Sequence, residues 1–230
     1  NNLIGIVAHD LKSPLNQVKG LVSLLKLNGD TFDADTLKLL DLIEGSINRL
    51  REMIAKILDV EAIESRSLNL AIAPVNVSTL LAEVTARFLD EAKRKSIEIT
   101  CSIPDDLLIP ADAGYMDQVL QNLISNAIKF SPPAKGLFIS ARQDNNSILI
   151  QIRDEGPGIS ETDMKKLFGK YQKLTARPTG NETSTGLGLS IVKKFVEAME
   201  GQIWCESTVG NGASFFVRMQ PLPVPVEGHP

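Results

Sequence analysis

The chain has 230 residues, 43% of them hydrophobic and 23% charged, with a formal net charge of −4. That length and apolar content support one large or two modest cores, and the acidic balance excludes a nucleic-acid binder acting through bulk charge. Two cysteines, Cys101 and Cys205, exclude a disulfide scaffold.

Each cysteine lies in a strand-like run and is expected to be buried as a small hydrophobe. No leader pattern is present, and no apolar run approaches the roughly 18 residues of a membrane span. The sequence begins at Asn1 inside a helical pattern, so a fragment is expected. Any membrane attachment would then come from segments outside it.

Residues 1–28 and 36–64 read as two long helices broken at Asn28-Gly29-Asp30. In the first, Ile4, Val7, Leu11, Leu15, Val18, Val22 and Leu25 form an apolar stripe. In the second, Leu40, Ile43, Ile47, Leu50, Ile54 and Ile57 are spaced by alternating threes and fours, the pattern of a heptad seam. A short connection makes the pair an antiparallel hairpin. Its stripe is best satisfied by a second copy, giving a four-helix bundle.

After a linker and short strand at 67–78 the pattern changes. Helices are expected at 78–94, 115–130, 161–168 and 187–200. Strands are expected in "SIEITCSIP", "LLIPAD", "GLFISARQ", "SILIQIRDEG", "QIWCES" and "ASFFVRMQ", with a hairpin turn at Asp144-Asn145-Asn146. Residues 169–185 are polar and irregular. The fold class is α+β, with helices on one face of the sheet. Three segments follow: 1–66, 67–221 and a proline-rich tail at 222–230.

The stretch "HDLKSP" places His9 five residues before Pro14, inside the first helix. At ~100° per residue His9 lies roughly 160° from the centre of the apolar stripe, so its imidazole is expected to face solvent. Pro14 lacks an N–H and crowds the carbonyl of Asp10, so a local bend is expected.

Three stretches in the second half carry nucleotide chemistry together. In "DQVLQNLISNAIKFS", Asn122, Asn126 and Lys129 share one helical face. Two amide oxygens one turn apart can help hold Mg²⁺, and a lysine can meet phosphate as a point charge. In "RDEGPGIS" a strand ends at Asp154, and Gly156 and Gly158 let the backbone approach a flat ligand. A carboxylate there can accept a hydrogen bond from an exocyclic amine. In "STGLGLSIVKKF", Thr185, Gly186 and Gly188 open a helix whose N-terminus favours an anion. The run Lys165, Lys166, Lys170, Lys173 and Arg177 borders it and suits a mobile lid.

With these residues in order, the sequence resembles the sensor histidine kinases of two-component signalling over about residues 1–220. "HDLKSPL" resembles the family's phosphoacceptor box and "NLISNAIKFS" its asparagine box. "DEGPGI" and "TGLGL" resemble its glycine boxes, and "FGKYQK" the phenylalanine-containing box between them. The resemblance implies a homodimerising helical hairpin followed by an ATP-binding α/β sandwich, with ATP and Mg²⁺ as cofactors.

It implies roles too. His9 would accept the phosphoryl group, and Asp10 would be the acid/base that orients the imidazole. Asn122 and Asn126 would hold Mg²⁺, and Lys129 would meet phosphate. Phe130 would line the nucleotide pocket, Asp154 would bind the adenine amine, and Gly156, Gly158 and Ile159 would shape its surroundings. Thr185, Gly186, Leu187, Gly188 and Leu189 would form the lid side, with Lys173 near the γ-phosphate. Ser13 stands where phosphatase-competent members carry Thr or Asn, which implies weak phosphatase activity.

The implied partner is a response-regulator receiver domain. The expected location is the cytoplasm, either free or as the cytoplasmic part of a membrane-anchored sensor. Topoisomerase, mismatch-repair and chaperone ATPases share the pocket but lack a solvent-facing histidine on a leading hairpin. A dimerising scaffold with a dead nucleotide site, or a phosphatase-biased member of the same family, is the alternative reading.

Overall fold

The computed structural model describes residues 3–27, 32–64, 68–170, 172, 174–179 and 186–222. Within the hairpin it leaves out the side chains of residues 3–10, 12, 49, 51–53 and 55–64. The chain divides into two compact units, Asn1–Leu68 and Asn69–Pro230.

The first unit is a helical hairpin of α1 (Leu3–Leu27) and α2 (Ala34–Glu64). Helix α1 is continuous through Pro14. Asp33 starts α2 by accepting the Thr36 N–H at 2.7 Å, which satisfies one orphan donor of the first turn. The Thr36 side chain first, and then this N–H, hold the Asp33 carboxyl below its ordinary pKa. Val22, Leu40 and Ile47 form the buried seam, with Leu15 and Phe32 packed against it. Lys26 near the end of α1 reaches Asp41 at 2.7 Å and Glu44 at 2.5 Å on α2, which fixes the register of the antiparallel pair.

The expected stripes divide. Leu40, Ile47 and Ile54, seven residues apart, are buried inside the hairpin. Ile43 and Leu50, also seven apart, are exposed, as are Leu11, Val18 and Leu25 of α1. One heptad position therefore closes the hairpin and the other is left open. Ile4, Val7, Ile57 and the direction of the His9 side chain lie outside the described side chains.

The second unit contains β1 (Ala73–Asn76), α3 (Val77–Arg94), β2 (Glu98–Ser102), β3 (Leu108–Ala111) and α4 (Ala113–Phe130). Then come β4 (Gly136–Asp144), β5 (Ser147–Asp154), α5 (Glu161–Met164), α6 (Gly188–Ala198), β6 (Gln202–Ser207) and β7 (Ala213–Met219). The main sheet has five strands in the order β2-β4-β5-β7-β6; β1 and β3 form a separate antiparallel pair. Only β2 and β4 run parallel in the main sheet.

Alternation along the strands decides the layers. Ile139, Ile150, Ile152 and Val217 point inward and are buried, as are Leu120, Leu123, Ile124 and Ile128 of α4. Each such side chain gains about 1.5–3 kcal/mol by leaving water. The other sheet face carries Arg153 over Phe138, Trp204 stacked on Phe216, and Arg218 over Trp204.

Helix α4 starts where Asp112 accepts from Gly114 N–H at 2.9 Å and Tyr115 N–H at 3.1 Å. The other Asp112 oxygen takes Ala71 N–H at 2.9 Å, which anchors the entry to the domain.

Two expectations fail locally. The helix expected over 161–168 stops at Met164, because Leu167 and Gly169 turn back onto Met164 and Lys166 by bonds three residues long. Cys101 is exposed rather than buried, because β2 is an edge strand. Cys205 is half-buried, and burial first, then the nearby Asp154 and Glu206 charges, push its thiol up to about 12. It stays a neutral hydrophobe.

Candidate active site

The site gathers where β5 ends, beside Leu174 and Ala176. Asp154 closes β5 and is 5% exposed. One of its oxygens, Oδ1, accepts Gly156 N–H at 2.8 Å and Ala213 N–H at 3.2 Å. Among the described residues no side chain or backbone group donates to Oδ2. Burial raises the Asp154 pKa above its ordinary value, and the two backbone bonds oppose that rise. The arrangement is a carboxylate with one oxygen locked and one available, suited to a donor such as an aromatic amine.

Around it a cavity is lined by Asn126, Phe130, Asp154, Pro157, Gly158, Ile159, Leu167, Leu174, Ala176, Leu189, Ala213 and Phe215. A mostly apolar wall with few polar groups is what a flat heteroaromatic ring requires. The cavity is about 50 Å³ in volume and is partly open to solvent. A wider, open depression of about 490 Å³ lies beside α3 and β2, lined by Leu89, Ala92, Lys93, Ser96, Ile97, Glu98 and Ile99.

Leu174 and Ala176 belong to a strap pinned at two points. Thr175 N–H bonds Asp163 Oδ2 at 2.8 Å, which holds the Asp163 carboxyl below its ordinary pKa. Thr179 donates its N–H to the Lys129 carbonyl at 3.0 Å and its hydroxyl to the Ser131 carbonyl at 2.7 Å. The carbonyls at the end of α4 thus hold the strap, and those of Ile128 and Lys129 also accept from Lys95 Nζ.

The phosphate side is built on α4 and α6. Asn122 donates its amide N–H to the Gln118 carbonyl at 2.9 Å, which turns its oxygen outward. That oxygen abuts Gly188, where a β-carbon would stand 3.0 Å from it. Helix α6 begins at Gly188 with no side-chain cap bond, so its first N–H groups suit an anion. An amide oxygen beside an anion-favouring helix start, with Asn126 one turn further along α4, has the chemistry to hold a Mg²⁺ that keeps several waters.

Of the residues expected from the sequence, the cavity brings together Asn126, Phe130, Asp154, Gly158, Ile159 and Leu189. Gly156 adjoins it through the bond to Asp154. Asn122, Lys129, Gly186, Leu187 and Gly188 do not line it; Leu187 is buried and Lys129 half-buried. His9 and Asp10 are in α1, and their side chains lie outside the description, as do Lys173 and Thr185 altogether. Ser13 is exposed. The sequence reading missed Pro157, Leu167, Leu174, Ala176, Ala213 and Phe215. Gly212 is missed as well: its φ is +75°, and a β-carbon would stand 2.0 Å from the Asp154 carbonyl oxygen. "GNGA" before the last strand is the signal that could have flagged it.

Comparison with known proteins adds to this geometry. The family description "His Kinase A (phospho-acceptor) domain" matches residues 1–66. "Histidine kinase-, DNA gyrase B-, and HSP90-like ATPase" matches residues 111–223. The autoinducer 2 sensor kinase/phosphatase LuxQ of Vibrio vulnificus is 32% identical over 96% of this chain and 26% of its own length. The sensor histidine kinase YcbM of Bacillus subtilis is 28% identical over 93% of this chain and 69% of its own. The full-length ShkA crystal structure in complex with AMPPNP superposes with a TM-score of 0.80 at 26% identity, over 98% of this chain and 47% of that one. The chain spans 26–31% of the length of the first three curated relatives it matches.

Proposed function

The chain belongs to the sensor histidine kinases, and from that premise we propose that it uses Mg-ATP to phosphorylate His9 and then passes the phosphoryl group to an aspartate of a response-regulator receiver domain. The observation that carries this reading is Asp154, buried at the floor of an apolar cavity with one oxygen locked and the other open.

Asp154 Oδ2 would accept the exocyclic amine of adenine, while Phe130, Ile159 and Leu189 enclose the ring. Gly156 and Gly158 keep the turn close enough for that contact. Asn122 and Asn126 would hold Mg²⁺ through their amide oxygens, and Lys129 would meet phosphate. Thr185, Gly186, Leu187 and Gly188 would bring the start of α6 to the phosphates, with Lys173 near the γ-phosphate. Bound Mg-ATP supplies an activated phosphoryl group.

The neutral His9 imidazole is a competent nucleophile near pH 7. Its free ring nitrogen would attack the γ-phosphorus as the bond to the β–γ bridging oxygen breaks. Asp10 would hold the proton on the other nitrogen and steady the imidazolium that forms. The remaining work is positioning and charge neutralisation.

Two copies would pair through the open heptad face of the hairpin. Segment limits at 1–66, 67–221 and 222–230 fit this division of labour, and the reading places the chain in the cytoplasm. No helix among the described residues is long and apolar enough to cross a membrane. Ser13, exposed one turn beyond His9, would give weak phosphatase activity. Rapid loss of label from the phosphorylated receiver that Ser13→Ala abolishes would contradict that weakness. A titration with an ATP analogue and Mg²⁺ tests the nucleotide reading: saturable binding is expected, and none is what a dead-site scaffold would give.

A further inference from the structure

Ser207 stands at the end of β6, outside every motif used above. Its hydroxyl accepts Ile159 N–H at 2.9 Å and donates to the Gly212 carbonyl at 2.6 Å. The first bond reaches the glycine-rich turn after β5; the second closes the β6–β7 turn. Gly210 N–H adds a tie to the Pro157 carbonyl at 2.7 Å. At Gly158 the two turns are so close that a β-carbon would stand 2.2 Å from the Thr208 carbonyl oxygen.

The consequence falls on Asp154. Its Oδ1 takes one N–H from each turn, Gly156 from its own and Ala213 from the other. The carboxylate keeps its rotation only while both turns hold their spacing. A hydroxyl is a small group that donates and accepts at once, and Ser207 uses both capacities across that gap.

We propose that Ser207 is a positioning residue for base recognition: by pinning the two turns it fixes the Asp154 carboxylate so that Oδ2 faces the adenine amine. This rests on the adenine reading of the cavity. Without the hydroxyl the β6–β7 turn drifts, Ala213 N–H leaves Oδ1, and the carboxylate loses its preferred orientation. Discrimination against guanine, which presents a carbonyl where adenine has its amine, weakens with it. Phosphate contacts and chemistry are untouched, because they are assigned to α4, to residues between Lys173 and the start of α6, and to α1.

The test uses the full chain with Ser207→Ala and Ser207→Thr, measuring ATP and GTP affinity by calorimetry, autophosphorylation kinetics, and the thermal transition. For Ser207→Ala we expect the ATP Kd and KM to rise about tenfold, the scale of one or two lost hydrogen bonds, with kcat nearly unchanged. The preference for ATP over GTP should shrink by a similar factor, and Ser207→Thr should restore all three.

Parental affinity and selectivity in Ser207→Ala overturns the proposal. So does a loss of kcat at constant KM, or an equal defect in Ser207→Thr. Should Ser207→Ala fail to fold, Ser207→Cys decides: similar volume with a weak donor must weaken ATP binding where threonine does not. A parent chain that binds GTP as well as ATP overturns the adenine reading itself, and this proposal with it.

Discussion

Among the described seam residues of helix α2 every second one is left in water: Leu40, Ile47 and Ile54 are at most 7% exposed, whereas Ile43 and Leu50 are 44% and 46% exposed. In the ATP-binding unit the equivalent helix, α4, hides Met116, Val119, Leu120, Leu123 and Ile124 completely. The difference separates two kinds of stability. The α/β unit closes its core with its own strands and helices. The hairpin closes half of a heptad pattern and leaves the other half exposed, the face through which we propose that two copies pair.

The comparison is broken most directly at the open face. Ile43→Glu together with Leu50→Glu should convert a dimer to a monomer in sedimentation equilibrium while leaving the melting of the ATP-binding unit in place. A double variant that still sediments as a dimer would show that pairing uses another surface.

The closed unit is sharpened by Leu123→Ala, which leaves a cavity between α4 and the sheet and should cost about 2–5 kcal/mol. Leu89→Ala, on the exposed side of α3 at 53% exposure, should stay within about 0.5 kcal/mol. Denaturant unfolding of both measures the contrast; similar losses would mean that burial does not govern this unit.

Asp154→Asn should weaken an ATP analogue about ten- to a hundredfold near neutral pH, the scale of a lost hydrogen bond to a charged group. The amide satisfies Gly156 and Ala213 through its oxygen and then turns its nitrogen toward the base amine. Burial raises the pKa of the parent carboxyl, so its charged form is lost on acidification at a higher pH than that of an ordinary aspartate. The gap between parent and variant must therefore narrow as pH falls, starting above about pH 4. A constant ratio down to that pH contradicts the assignment.

The smallest effect belongs to Lys26. Asp41 and Glu44 raise its pKa above 10.5, so its contribution is complete below 10.5 and lost only as pH rises through the folded value. Lys26→Met should lower the hairpin's melting temperature slightly and by the same amount from pH 6 to 9. A steep pH dependence in that range would assign the effect elsewhere.

What could be read from the sequence was local. Threes and fours in α2, the alternation of β4 and β5, and the turn at Asp144-Asn145-Asn146 all lie within short windows. That turn is realised as the pair Asp144↔Ser147, with Asn145 at a φ of +52°. Asp154 could be singled out because its glycines follow directly. Its second donor could not, since Ala213 is 59 positions away and arrives only when β7 pairs with β5. The strap is similar: Thr179 meets Lys129 and Ser131 across about 50 residues, and no periodicity announces such a bond. The division of the heptads into closed and open halves also required the packed hairpin. Spacing shows that a seam exists, but its partner is set by tertiary contact.

The most direct test of the central claim is incubation of the chain and its His9→Gln variant with Mg²⁺ and γ-labelled ATP, followed by acid and base treatment. The account predicts label on the parent that is labile in acid and stable in base, with none on the variant. Equal label on both, or acid-stable label on the parent, would contradict it.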